Sequence, residues 1–125
     1  MLIFDTLSEM ESYQGICPEI AAIITVMDRS LPYEEGPGRY EIPEHKEIKY
    51  LIDTAMTSDK GFEAPLNEGR KVMEIVLEGE ELVALSGSVI KLAPGRFALY
   101  EGGIKAKRGV APALPGFFKA VRFVF

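Results

Sequence analysis

"EIKYLIDTAM", residues 47 to 56, is where the chain changes period. Ile48, Tyr50, Ile52, Thr54 and Met56 alternate with Glu47, Lys49, Leu51, Asp53 and Ala55. That period of two marks a strand with one face against a core. Downstream, Val72 to Leu77, Leu82 to Leu85, Val89 to Leu92, Phe97 to Tyr100 and Phe117 to Phe125 read as further short strands, and Arg39 to Ile42 precedes them. The separators "EGEE", "SGS", "APGR", "EGG" and "LPG" carry turn chemistry. No helical pattern falls between these strands, which excludes a parallel crossover sheet and leaves an antiparallel sandwich or barrel.

Upstream the period is near 3.6. "TLSE", Thr6 to Glu9, has capping-box spacing and predicts a short helix through Tyr13, ended by Gly15. Pro18 suits the first position of a second helix, "PEIAAIITVMDRS", where its missing N–H costs nothing. Ile20, Ile23, Ile24 and Met27 share a face, so this helix packs on a sheet. The expected architecture is all-β with short N-terminal helices, one domain over residues 1–125 whose first 36 residues are the helical segment.

Composition narrows the function classes. No apolar run reaches the roughly eighteen residues of a membrane span, so no membrane partner is expected. "MLIFDTLSEM" has no basic residue ahead of its apolar letters and does not read as a secretory signal. The lone Cys17 cannot form an intrachain disulfide, and both features fit a reducing cytoplasm. At a helix start its thiol is expected to be somewhat acidic. Residues 1 to 45 carry nine acidic groups against Arg29 and Arg39, while residues 91 to 125 carry seven basic groups against Glu101. These ends read as complementary faces of one fold or of a homodimer. A net charge of -5, without aromatics interleaved among basic residues, argues against nucleic acid.

The pieces "IFDTL" (3–7), "PGRYEI" (37–42), "VLEGEE" (76–81) and "LAPGRFALYEGG" (92–103) occur in an order similar to that of the YhcH/YjgK/YiaL family, which includes the beta subunit of evolved beta-galactosidase. The resemblance implies a cupin-like jelly roll, two antiparallel sheets enclosing a pocket with helices outside. It also implies bacterial sugar metabolism, including anomer conversion, with a divalent metal in the barrel. Carried onto this chain, the family's four ligand positions fall on Pro65, Asn67, Glu74 and Ala106. Proline and alanine have no donor atom, and an amide oxygen is a poor ligand for first-row metals, so no metal and no cofactor is expected. The connection "LVALSGSVIK" is also shorter than the family's.

Glu74 is then the candidate catalytic residue, because it interrupts the apolar run "VMEIVL". Alternation places it with Val72 and Val76, either lining a pocket or facing solvent. If buried it needs a cationic partner, for which Arg70, Lys71 and Lys107 are the candidates. Glu63 and Asn67 are candidate ligand-binding residues, and Glu74, Asn67 and Lys107 are expected to converge on one cavity. Lys105, Lys107 and Arg108 in "GGIKAKRG" have two readings, a cationic group that holds an anionic sugar in place of the metal, or a basic surface hairpin. His45, the single histidine, reads as a surface turn residue. The function expected is binding of a small sugar or sugar acid in the barrel, with anomerase- or epimerase-like chemistry resting on Glu74 if there is turnover. The alternatives are a non-catalytic subunit of a carbohydrate-metabolising enzyme and an anion-binding module.

Overall fold

The computed structural model describes residues 2–125. Strand β1 (Leu2–Thr6) leads into a 3-10 helix (Leu7–Tyr13), then α1 (Ile20–Asp28) and the single turn α2 (Leu31–Glu34). The strands that follow are β2 (Gly38–Ile42), β3 (His45–Met56), β4 (Phe62–Glu63), β5 (Lys71–Glu78) and β6 (Glu81–Leu85). The chain continues with β7 (Ser88–Leu92), β8 (Arg96–Glu101), β9 (Lys107–Val110) and β10 (Phe117–Val124). Six strands form one sheet in the order β1-β8-β5-β10-β3-β2, and four form a second in the order β4-β9-β6-β7. Every ladder between these strands is antiparallel. This is the expected all-β architecture with small helices.

Both faces of the larger sheet are buried at its centre. On one face Tyr50, Ile52, Met73, Ile75, Phe97, Leu99, Val121 and Phe123 pack under Ile20, Ile23 and Val26 of α1, so the helix covers the sheet as its apolar stripe predicts. On the other, Val72, Val76, Ala98, Phe118 and Ala120 meet Val83, Leu85, Ile90 and Leu92 of the smaller sheet. Each fully buried Phe, Leu, Ile or Val contributes roughly 1.5–3 kcal/mol by leaving water, so these two layers supply most of the driving force.

Several local expectations shift. Thr6 precedes the 3-10 helix, but its hydroxyl lies 3.0 Å from that of Ser8 and forms no side-chain cap, so the capping box does not close. Asp5 instead anchors the segment, accepting the Thr6 N–H at 2.7 Å and the Tyr13 hydroxyl at 2.6 Å. Pro18 sits ahead of α1, because Ile20 and Ala21 donate to the carbonyls of Cys17 and Pro18 in tighter three-residue turns before the α-helix begins. Cys17 is fully buried, and desolvation pushes its thiol pKa up, so it is less acidic than its helix-start position suggests. His45 is exposed as expected, yet it opens β3 and lies 3.5 Å from Glu47.

Three strands were not expected. β1 is five residues long and exists by pairing with β8, far away in sequence. β4 and β9 are shorter still, and they pair with each other while β9 also pairs with β6. β4 and β9 are too short to show a period by themselves.

The β5–β6 turn depends on Gly79, whose φ of +70° is left-handed and where a Cβ would run into the Phe117 carbonyl oxygen. Gly87, at the β6–β7 turn, has φ +76° but open space around it. Gly87→Ala should therefore cost about 1 kcal/mol, from backbone conformation alone. Gly79→Ala should cost at least about twice that, because backbone must move as well. Urea unfolding of the two variants checks the difference.

Candidate functional site

One rung of the larger sheet organises the interior. Arg39 on β2 faces Leu51 on β3, Leu51 faces Arg122 on β10, Arg122 faces Glu74 on β5, and Glu74 faces Ala98 on β8. Partners in register point to the same side of a sheet, so Glu74 and Arg122 both face the smaller sheet. That puts two ionisable groups in an apolar layer. The counter-charge comes across the gap from β9, where Arg108 is fully buried.

Arg108 joins four strands. Its Nε donates to Glu74 Oε1 at 2.9 Å and its Nη1 to Asp53 Oδ2, on β3, at 2.6 Å. Its Nη2 lies 3.9 Å from Oε2 of Glu81, the first residue of β6. Tyr100 on β8 donates its hydroxyl to Glu74 Oε1 at 3.2 Å, and Arg122 Nη2 lies 3.5 Å from Asp53 Oδ2. Glu81 Oε1 accepts the Gly109 backbone N–H at 2.8 Å. Gly109 takes φ +66°, and its bare Cα leaves room for the Phe62 ring, which lies 5.5 Å from the Arg108 guanidinium carbon.

The electrostatics follow from burial. Desolvation, then the neighbouring charge of Glu74, pushes the Glu81 pKa up to about 9, so Glu81 holds its proton at neutral pH. Two guanidinium groups then face the carboxylates of Glu74 and Asp53, and the interior is balanced. Desolvation opposes the Arg108 charge, but Glu74, Glu81 and Asp53 outweigh it and raise its pKa. Arg122 is lowered, by desolvation first and by Arg108 second. Tyr100 is raised by the same burial and by Glu74, which keeps its hydroxyl a donor.

Beside this network the larger sheet runs past the smaller one, and the uncovered part is a cleft of about 450 Å³. Arg39, Glu41, Lys49, Asn67, Arg70 and Arg122 supply its polar lining. Of the residues singled out from sequence, Asn67, Pro65 and Arg70 line this cleft, Asn67 holding φ +37° and donating its amide to the Pro65 carbonyl. Glu74 points inward and is fully buried, with Arg108 as its partner rather than Arg70, Lys71 or Lys107. Glu63 on β4 and Lys105 and Lys107 are exposed. Glu74, Asn67 and Lys107 thus do not converge on one cavity, because alternation along β9 sends Lys107 outward and Arg108 inward. The segment "KRGV", Lys107–Val110, is a strand that turns Arg108 inward, while Lys105 before it and Lys107 within it stay exposed.

Four members of the interior network, Asp53, Glu81, Tyr100 and Arg122, were not singled out from sequence. Arg122 interrupts "AVRFVF" as Glu74 interrupts "VMEIVL", and that shared signal could have found it. Glu81 alternates with Val83 and Leu85, which are buried. Its place after Gly79 and Glu80 made it read as turn.

No family model and no curated protein matches the sequence. Solved structures do match. A cupin protein from Bacteroides fragilis aligns with TM-score 0.53 and 14% identity over 72% of this chain and 77% of its own. A cupin 2 domain-containing protein from Halorhodospira halophila aligns with TM-score 0.52 and 15% identity over 73% of this chain and 65% of its own. The chain has the cupin fold. Protein NMB1881 from Neisseria meningitidis is similar too, with TM-score 0.55 and 10% identity over 72% of this chain and 82% of its own.

The interior of this cupin does not suit a divalent metal. Among the described residues no group of three or more His, Cys, Asp or Glu side chains is arranged to hold one. The side chains of Glu74, Glu81 and Asp53 converge on a guanidinium, so an ion placed between them would lie against a fixed positive charge. Ala106 is buried without a donor atom, and Pro65 and Asn67 lie out at the cleft.

Arg108→Ala should cost about 3–5 kcal/mol by leaving Glu74 buried and unpaired, whereas Arg108→Met combined with Glu74→Gln should recover most of that loss. Urea denaturation of both variants tests this. The folded chain holds the Glu81 proton that the unfolded chain releases. Glu81 therefore stabilises fully below pH 4.5, and its contribution is lost as pH rises towards about 9. In Glu81→Gln this decline should flatten, a difference visible in thermal melts at pH 5, 7 and 9.

Proposed function

We propose that this protein is a divergent sugar-handling cupin, resembling the YhcH/YjgK/YiaL family, that binds a small sugar or sugar acid without a metal centre. The observation that carries this reading is the cleft of about 450 Å³ on the larger sheet, which Arg122 of the buried ion network helps to line. Its volume lies within the usual range for small-ligand sites, roughly 300–1,000 Å³. Leu51, Tyr50, Pro65 and Val124 add apolar surface to the polar lining, the mixture that a sugar ring with hydroxyl groups requires.

Binding is favoured over turnover. Glu74 does not line the cleft, and its Oε1 already accepts from both Arg108 and Tyr100. A general base has to reach the proton that it removes, directly or through one water. Glu74 is thereby a buried partner of Arg108 and Tyr100. Titration of the protein with neutral and acidic monosaccharides, followed by backbone amide NMR, should shift cleft resonances such as those of Lys49, Asn67 and Val124. Magnetisation-exchange NMR should show no faster anomer interconversion. Absence of any cleft shift across the panel would refute the reading, and acceleration lost in Glu74→Gln would restore catalysis.

A second reading, a non-catalytic subunit or homodimer, is favoured by the apolar end of the larger sheet. Met56 and Phe117 face each other across β3 and β10, yet are 62% and 50% exposed. Light scattering on the purified chain separates the two: a monomer at high micromolar concentration removes the homodimer.

A further inference from the structure

We infer that the cleft is an oxyanion site, whose ligand is a monosaccharide-sized molecule bearing a carboxylate or phosphate group held by Arg122, Arg39, Lys49 and Arg70. This rests on the small-ligand reading above and gives it a chemical class. Four cations line the cleft and one carboxylate, Glu41, accompanies them. The chain as a whole is acidic, with a net charge of -5, so this concentration of positive charge is local.

These cations are poorly satisfied by the protein. Among the described residues neither Arg39 nor Lys49 forms an ion pair. Arg70 donates to the Glu47 backbone carbonyl at 3.3 Å, which leaves its charge unbalanced. Arg122 is only 5% exposed, its Nε has no hydrogen-bond partner, and its contact with Asp53 is a long 3.5 Å. Asp53 gives its short bond, 2.6 Å, to Arg108 instead. Burial first, and Arg108 second, weaken the hold of Arg122 on its proton.

The register makes this a built geometry. Arg39 and Arg122 flank Leu51 on one rung, one strand away on each side, and Lys49 follows Leu51 two residues earlier on the same face. Adjacent strands are about 4.8 Å apart, so two guanidinium forks approach a single group from opposite sides of an apolar residue. Planar forks of this kind match carboxylate and phosphate oxygens in bidentate fashion. The basic residues singled out from sequence, Lys105, Lys107 and Arg108, do not line this cleft.

The test is isothermal titration of the full chain at low salt with glucuronate, glucose 6-phosphate and glucose, repeated on Arg39→Gln/Lys49→Gln and on a Lys105→Gln control. All substituted positions but Arg39 and Lys49 lie outside the cleft lining, and both of these side chains can lose their charge without stranding a buried partner. Expected is binding of glucuronate or glucose 6-phosphate at least tenfold tighter than glucose, weakened at least tenfold in the double variant and unchanged in Lys105→Gln, with melting temperature preserved. The tighter of the two anions identifies the group, carboxylate or phosphate. Glucose binding as tightly as the anions overturns the inference while leaving the small-ligand reading in place. Anion binding that falls equally in Lys105→Gln, or that does not fall in the double variant, places the anion elsewhere and also overturns it. Binding of none of the three refutes this inference, while cleft shifts with other sugars in the NMR panel would still sustain the broader reading.

Discussion

The guanidinium of Arg108 is the point at which the two sheets are tied together. It enters from the smaller sheet and binds Glu74 and Asp53 of the larger, with Glu81 of its own sheet beside it. A buried ion pair is weak support for stability, since desolvating the charges offsets most of their attraction. Its effect is on arrangement. A charge this deeply buried tolerates few positions, so it fixes how β9 sits over β5 and β3, and a shift of one residue along β9 would replace it with Lys107 or Gly109.

That constraint shapes the rest of the site. With Glu74 and Asp53 engaged by Arg108, the space between the sheets is occupied by the protein's own side chains. The cleft lies to the side, on the part of the larger sheet that the smaller sheet leaves uncovered. Arg122 links the two regions: it contacts Asp53 on one side and lines the cleft on the other. The similarity to known cupins is one of fold.

Much of the architecture was legible from local pattern. Alternation in β3, the apolar runs of β5, β8 and β10 and the turn signals between them sufficed for an antiparallel all-β fold, and the stripe on α1 for a helix packed on a sheet. β1, β4 and β9 were not legible, because they exist through distant partners, and β4 and β9 are only two and four residues long. The site was legible in part. An acidic residue interrupting an apolar strand marked Glu74, whereas its partner stood in a segment that read as a loop.

The sequence by itself determined what could not be built: with one histidine, a histidine-rich metal site was out of reach whatever the fold. It also determined that Glu74 shares a face with Val72 and Val76, since the period of a strand is local. Only the tertiary structure decided that this face is the interior, that Arg108 rather than a lysine meets it, and that Arg39, Lys49, Arg70 and Arg122 gather around one cleft. Those outcomes depend on strand order and on how two sheets overlap. Both are set by contacts between residues far apart in the chain, and a local period carries no trace of them.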